Sequence, residues 1–225
     1  MRTVLLIGAS RGIGLELARQ YSDDGWRVIA TARSDEGLTK LKALGAETLR
    51  LDVANPASNS GLAWQLDGEK LDVAVYVAGA MDRASASTPP TRDSFDAVMH
   101  TNVMGAMQVL PQIAPMVQET QGVIACISSV MGSLQETTAG NAALYRVSKA
   151  ALNMVVRCSQ AELPAVTVLA IHPGWVQTEM GGSAAPLTPE QSASSLRQTL
   201  EMVRTQGDPK HKGAFLNHDG QPLPW

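Results

Sequence analysis

The chain has 225 residues, 44% of them apolar and 17% charged, which is enough for the core of one large domain and too apolar for a disordered chain. Eighteen Lys and Arg against twenty-one Asp and Glu leave a net charge of −3 with no basic run, so nucleic acid and anionic membranes, which are held by clustered cations, are not expected partners. Only two cysteines occur, Cys126 and Cys158, and the longest apolar run spans Val73 to Met81, which excludes a disulfide or zinc framework and falls far short of a bilayer span.

In chain order, short runs rich in Val, Ile and Leu alternate with segments of helical period. Thr3–Ile7 reads as a strand and leads at once into a glycine motif, leaving no room for a signal peptide, so a cytoplasmic protein is expected. Helix Gly12–Asp24, strand Arg27–Ala32, helix Glu36–Leu44, strand Glu47–Leu51 and helix Ala57–Leu66 follow. Strand Asp72–Ala78, a long helix Arg92–Gln118, strand Gly122–Ser128, helix Ala142–Leu163 and strand Val166–His172 come next. Helix Pro189–Thr205 and a weak strand Ala214–Asn217 close the series. Strands apolar along their whole length are those covered on both faces, as in a parallel sheet. The alternation predicts a single doubly wound Rossmann-type α/β domain over 1–225, with about seven parallel strands and helices on both faces. Thr178–Pro189, with Gly181-Gly182 and two prolines, is poor in regular structure; it reads either as a mobile cover over a cleft or as an ordinary surface loop.

The turn Gly8-Ala9-Ser10-Arg11-Gly12-Ile13-Gly14 lies between the first strand and its helix. Such glycines allow a tight turn and aim helix N-terminal amides at an anion. The absence of Gly-Lys-Ser/Thr excludes a P-loop, and the context points to a dinucleotide. No acid ends the second strand, where Thr31-Ala32-Arg33-Ser34 precedes Asp35. An acid there would select NAD, whereas Arg33 and Arg11 suit the 2′-phosphate of NADP. Asp52, followed by Val53, reads either as an acceptor for the adenine amino group or as a turn residue. In Tyr145-Arg146-Val147-Ser148-Lys149 the i, i+4 spacing stacks Tyr145 and Lys149 on one helix face. There a cation is expected to favour phenolate and lower the Tyr pKa. Ile127-Ser128-Ser129 ends the fifth strand at the edge where open sheets bind ligands. Four histidines lack metal-ligand spacing, and Cys126 reads as a core thiol.

Together, the glycine turn, the strand-end Ser, Tyr-x-x-x-Lys and His172-Pro173-Gly174-Trp175-Val176-Gln177-Thr178 resemble the short-chain dehydrogenase/reductase family over essentially the whole chain. Gly132–Leu134, Tyr145–Asn153 and the ending Phe215–Trp225 are similar to its sniffer-type carbonyl reductases and C-factor-like members. The resemblance implies Tyr145 as acid/base and Lys149 as its pKa-lowering, ribose-binding partner. It implies Ser129, rather than Ser128, as the group polarising the carbonyl, and Asn102 as the holder of a relay water. Gly8, Ser10, Gly12, Ile13, Gly14, Arg33, Asp52, Val53, Ala78 and Gly79 fall at cofactor positions. Val176 and Thr178, with Pro173 and Gly174 beside them, match anchors of the nicotinamide carboxamide and phosphates. The family's Asn-Ala-Gly is here Val77-Ala78-Gly79, so a supporting Asn is missing. Ser129 and Tyr145 stand sixteen apart, a longer gap than most members show, and Gln135–Asn141 is expected to rim the substrate entrance.

The implied function is NADP(H)-dependent hydride transfer between nicotinamide and a carbonyl or alcohol. The alternatives are a C-factor-type signalling protein with little turnover, or a scaffold without any. With no Arg or Lys in Ser133–Asn141 or Thr178–Pro189, a small, weakly polar carbonyl compound is the expected substrate. Apolar residues on 92–118 and 142–163 wrap beyond one stripe, which predicts either a homodimer through these two helices or a monomer in which they cover each other.

Overall fold

The protein was analysed as a computed structural model that describes residues 1–225. The seven apolar runs pair into one sheet: β1 (Thr3–Ile7), β2 (Arg27–Ala32), β3 (Glu47–Arg50), β4 (Val73–Tyr76), β5 (Val123–Ile127), β6 (Thr167–His172) and β7 (Phe215–Asn217). Their order is β3-β2-β1-β4-β5-β6-β7 and every pairing is parallel. The doubly wound expectation therefore holds. Strand order reverses between β1 and β4, which opens a crevice at their carboxyl ends. The register sets Ile7 opposite Tyr76 and Tyr76 opposite Cys126, so the three strands end level with one another beneath that crevice.

Side chains alternate across the sheet and bury 24 residues on each face, so neither face is left to solvent. Helices α1 (Gly12–Asp23), α2 (Asp35–Ala43) and α8 (Pro189–Gln206) cover the face of Val4, Leu6, Val28 and Val75. The opposite face, with Leu5, Ile7, Tyr76 and Ile124, is covered by α6 (Gly105–Gln118) and α7 (Ala143–Glu162). Caps fix the helix starts: Ser34 accepts from the Gly37 amide at 3.2 Å, and Thr188 with Gln191 forms a capping box ahead of Pro189.

Two expected helices are interrupted. Segment 57–66 is two single turns, α3 (Pro56–Asn59) and α4 (Leu62–Gln65), because Ser60-Gly61 does not carry the helix through. The long helix 92–118 is α5 (Arg92–Met99), a π-helical segment His100–Met104, and α6. The fourth strand is also shorter than the apolar run, since Val77 and Ala78 already hydrogen-bond to the Ile7 carbonyl in a turn toward the cleft. No helix is long and apolar enough to cross a membrane.

Candidate active site

The crevice at the carboxyl ends of β1, β2 and β4 is a cleft of about 630 Å³, walled by Gly8, Ser10, Arg11, Arg33, Asp52, Val53, Ala78 and Gly79 among others. Its size is that of a small-molecule site. The glycine turn is shaped for close approach. Gly8 has φ +81°, and a Cβ there would lie 2.7 Å from the Ala78 Cβ; its amide is held by the buried Thr31 hydroxyl at 2.9 Å. Gly14 abuts Ala9, letting α1 start against the strand end, and Gly12 with φ +52° faces the Thr178 methyl. Thr31 carries no signature of this support in the sequence, where it reads as a strand residue.

Four cations line the cleft, and three of them have partners. Arg11 pairs with Glu179, Lys40 with Glu36 at 2.7 Å, and Arg83 donates to the Met180 carbonyl at 2.7 Å. The Arg33 guanidinium has no acidic partner. Asp35 is taken by Arg50, whose other arm donates to the Arg33 carbonyl at 2.9 Å. Asp35, the first residue of α2, is thus turned away to Arg50, and Arg33 presents its charge to the cleft. Asp52 lines the wall, yet its Oδ1 accepts from the Ala54 amide at 3.1 Å, so it acts as a turn residue and a wall residue at once.

Beyond Gly79 stands the catalytic-type cluster, on α7 and the end of β5. Lys149 Nζ donates to the Ile127 carbonyl at 2.8 Å and lies 5.6 Å from the centre of the Tyr145 ring. Burial pushes this ammonium down to about 8. Burial likewise pushes the Tyr145 phenol up to about 12, against a lowering influence from the neighbouring Ser129 hydroxyl. The expectation that Lys149 lowers the Tyr145 pKa is therefore not met. The ammonium donates to a backbone carbonyl, burial raises the phenol against only the Ser129 hydroxyl, and Tyr145 keeps its proton at neutral pH. The two serines separate cleanly: Ser128 donates to Asn153 Oδ1 at 2.6 Å and is committed to the core, whereas Ser129 stands at Tyr145.

Asn102 is fully buried and both of its amide protons are used, on the Ala80 carbonyl and the Ser148 hydroxyl, each at 2.8 Å; its Oδ1 accepts from the Ala80 amide at 2.7 Å. Ser148 in turn donates to the Tyr145 carbonyl at 2.7 Å. The Asn102 side chain thus braces the Gly79-Ala80 turn against α7. Ser148, inside the Tyr-x-x-x-Lys motif, is part of that brace and was not singled out by spacing.

Thr178 reaches the glycine turn, and Pro173, Gly174 and Val176 are fixed on the segment that leads to it. Pro173 takes the buried Ser192 hydroxyl at 2.7 Å, Gly174 makes room for Leu187 at φ +83°, and Val176 bridges to Leu187. Cys126 is buried, and burial pushes its thiol up to about 12, as suits an inert core residue. Residues 135–141 are pinned from two sides: the Gln135 amide donates to the Trp225 carbonyl at 3.2 Å, and the Ala86 amide to the Gly140 carbonyl at 2.8 Å. Trp225 stacks on Phe215 at 5.5 Å.

Comparison with known proteins agrees with this geometry. The sequence pattern of the short chain dehydrogenase family matches residues 2–187. The chain is 32% identical over 233 residues to a 1-hydroxy-2-glutathionyl-2-methyl-3-butene dehydrogenase of Rhodococcus sp. (strain AD45), covering 100% of both. Its fold is similar to a solved short-chain dehydrogenase/reductase from Burkholderia multivorans with bound NADP (TM-score 0.88, 31% identity, 100% of this chain and 99% of that one). It is also similar to the carbonyl reductase Sniffer of D. melanogaster (TM-score 0.90, 27% identity, 100% of both chains).

Proposed function

Because the chain belongs to the short-chain dehydrogenase family, we propose that it is an NADP(H)-dependent oxidoreductase acting on a carbonyl or alcohol substrate, with Tyr145 as its acid/base. One arrangement carries the reading: Ser129, Tyr145 and Lys149 gather beyond Gly79 at one end of a cleft whose other end displays the unpaired Arg33. The cleft fits the cofactor because its volume of about 630 Å³ suits a small molecule and its wall carries the unpaired Arg33 beside the glycine turn. Arg33 and Arg11 would hold the 2′-phosphate, the glycine turn and Thr178 the pyrophosphate, Asp52 and Val53 the adenine side, and Lys149 the ribose. When bound, NADPH supplies the hydride.

The chain's own groups do the rest. A phenol that keeps its proton at neutral pH is a proton donor, so Tyr145 is poised to protonate the oxygen of a carbonyl as it becomes an alkoxide. Ser129 donates a hydrogen bond to the same oxygen. Lys149, at about 8, is mostly cationic near neutrality and fixed on Ile127, which leaves its remaining protons for ribose hydroxyls. Asn102 keeps Gly79-Ala80 and α7 in register. The pinned 135–141 segment walls the substrate side, and its lack of cations suits a small, weakly polar carbonyl compound.

The test is NADPH oxidation followed by absorbance across a panel of aldehydes, ketones and quinones. Turnover on at least one is expected, and Tyr145→Phe should lower kcat by about two orders of magnitude or more while cofactor affinity barely moves. Wild-type turnover by Tyr145→Phe would falsify the assignment.

A homodimer through α5–α6 and α7 is part of the same reading. Leu144, Leu152, Val156, Val109 and Ile113 are buried within the chain, but Phe95, Met107, Val147 and Met154 remain exposed on these helices, an apolar surface that a second copy would cover. Sedimentation at micromolar concentration decides it: a single species of monomer mass rejects the dimer.

A further inference from the structure

The π-helical segment His100–Met104 interrupts the helix that carries Asn102, and its hydrogen bonds explain what it does. In an α-helix the Gly105 amide would reach the Thr101 carbonyl; here it reaches one residue further back, to His100. The Thr101 carbonyl is met instead from the sheet, by the Tyr76 hydroxyl at 2.6 Å. Tyr76 ends β4 and is buried, and burial pushes its phenol up, so it bears its proton and donates. Room for that hydroxyl exists only because residue 105 is glycine: a Cβ there would overlap the Tyr76 oxygen and come within 2.8 Å of the Val53 carbonyl.

We propose that Tyr76 is a positioning residue for the active site: by holding the carbonyl that the π segment releases, it fixes the rotation of Asn102 and, through Ser148, the backbone of Tyr145. The connection is continuous. Tyr76 bonds Thr101, the adjacent Asn102 bonds Ser148, and Ser148 bonds the Tyr145 carbonyl. A buried network of this kind transmits a displacement rather than absorbing it, because each member has no water to turn to. With Phe at position 76 the ring still fills the core, and only the oxygen that sets the rotation of the π segment is lost. The inference rests on the oxidoreductase reading for its kinetic arm.

The test is a double-mutant cycle on NADPH-dependent carbonyl reduction. Tyr76→Phe should lower kcat about tenfold, with KM for NADPH within about twofold. In an Asn102→Ala background the same change should alter kcat less than about twofold, because the brace it serves is gone. An equal loss in both backgrounds, or an unchanged kcat in the first, would overturn the proposal. A second readout does not depend on turnover: the two Asn102 side-chain amide protons, buried and bonded, should exchange slowly in the wild-type protein and about tenfold faster in Tyr76→Phe. If no carbonyl is reduced, the activity reading fails while this exchange still decides Tyr76; equal exchange in both proteins rejects it. Should Tyr76→Phe not fold, the Tyr76 hydroxyl proton of the wild-type protein is measured by nuclear magnetic resonance: slow exchange with solvent supports the bond to Thr101, and fast exchange refutes it.

Discussion

Replacing Arg33 with Ala removes the only cleft cation that has no partner to give up. Arg11 must release Glu179 and Lys40 must release Glu36 before either can hold a phosphate, whereas Arg33 is already free, with Asp35 diverted to Arg50. Hydrogen bonds to charged groups contribute about 1.5–3 kcal/mol, which is roughly one to two orders of magnitude in affinity. NADPH should therefore bind Arg33→Ala some ten- to a hundredfold more weakly, while NADH, which lacks the 2′-phosphate, should change by less than about twofold. Wild-type protein should prefer NADPH by at least about tenfold, close to 1.4 kcal/mol. Arg11→Ala should cost less than Arg33→Ala, since its guanidinium exchanges one anion for another. Titration of cofactor fluorescence at low salt and again near 1 M gives both comparisons, and the Arg33 effect should shrink at high salt, where the screening length falls to about 3 Å. Equal losses for NADPH and NADH in Arg33→Ala would refute the reasoning, because they would mean that Arg33 touches something the two cofactors share.

The two strand-end serines should part company. Ser128→Ala strands the Asn153 oxygen and should cost about 1–3 kcal/mol of stability with kcat nearly unchanged, whereas Ser129→Ala should lower kcat about a hundredfold with little loss of stability; thermal melts and kinetics on the same samples check both. Lys149 should leave two signatures of its lowered pKa. kcat/KM should fall above about pH 8 as the ammonium is lost. Its folded pKa lies below the unfolded value of 10.5, so the unfolded chain binds the extra proton between about 8 and 10.5 and stability contributed by this site rises with pH across that window. Lys149→Met should abolish that rise, as pH-dependent denaturant melts would show.

Much of this was legible in the sequence. Seven apolar runs, unbroken because both faces of the sheet are covered, mark the strands, and the glycine turn and Tyr-x-x-x-Lys spacing mark the two ends of the cleft. What escaped was set by tertiary contacts. His-Thr-Asn-Val-Met at 100–104 has no local sign of π geometry, because its cause is the Tyr76 hydroxyl arriving from a strand 25 residues earlier. The Tyr145 pKa could not be read from spacing, since spacing places Lys149 near it but says nothing of the burial that raises the phenol. The bracing contacts of Asn102 were equally out of reach, because its partners Ala80 and Ser148 come from two other elements. Nothing in the sequence sets Glu179 apart, and only the fold brings it to Arg11 across 168 residues of chain.

That last contact bears on how quickly a nucleotide can come and go. Residues 179 and 180 are tied across the cleft by two weak links, the exposed Arg11–Glu179 pair and the Arg83–Met180 bond. Such links contribute about 0.2–1 and 0.5–1.5 kcal/mol. Together they hold the untied state at somewhere near a tenth of the molecules, which weakens apparent affinity by the inverse of that fraction. Association slowed tenfold from an ordinary 10⁵–10⁷ M⁻¹s⁻¹ delivers about 1–100 s⁻¹ at roughly 100 μM nucleotide, a range that brackets the roughly 10 s⁻¹ turnover typical of enzymes. Two such contacts therefore tie the 179–180 segment to the cleft wall at a cost that entry of a nucleotide can meet when association is at the faster end of that range.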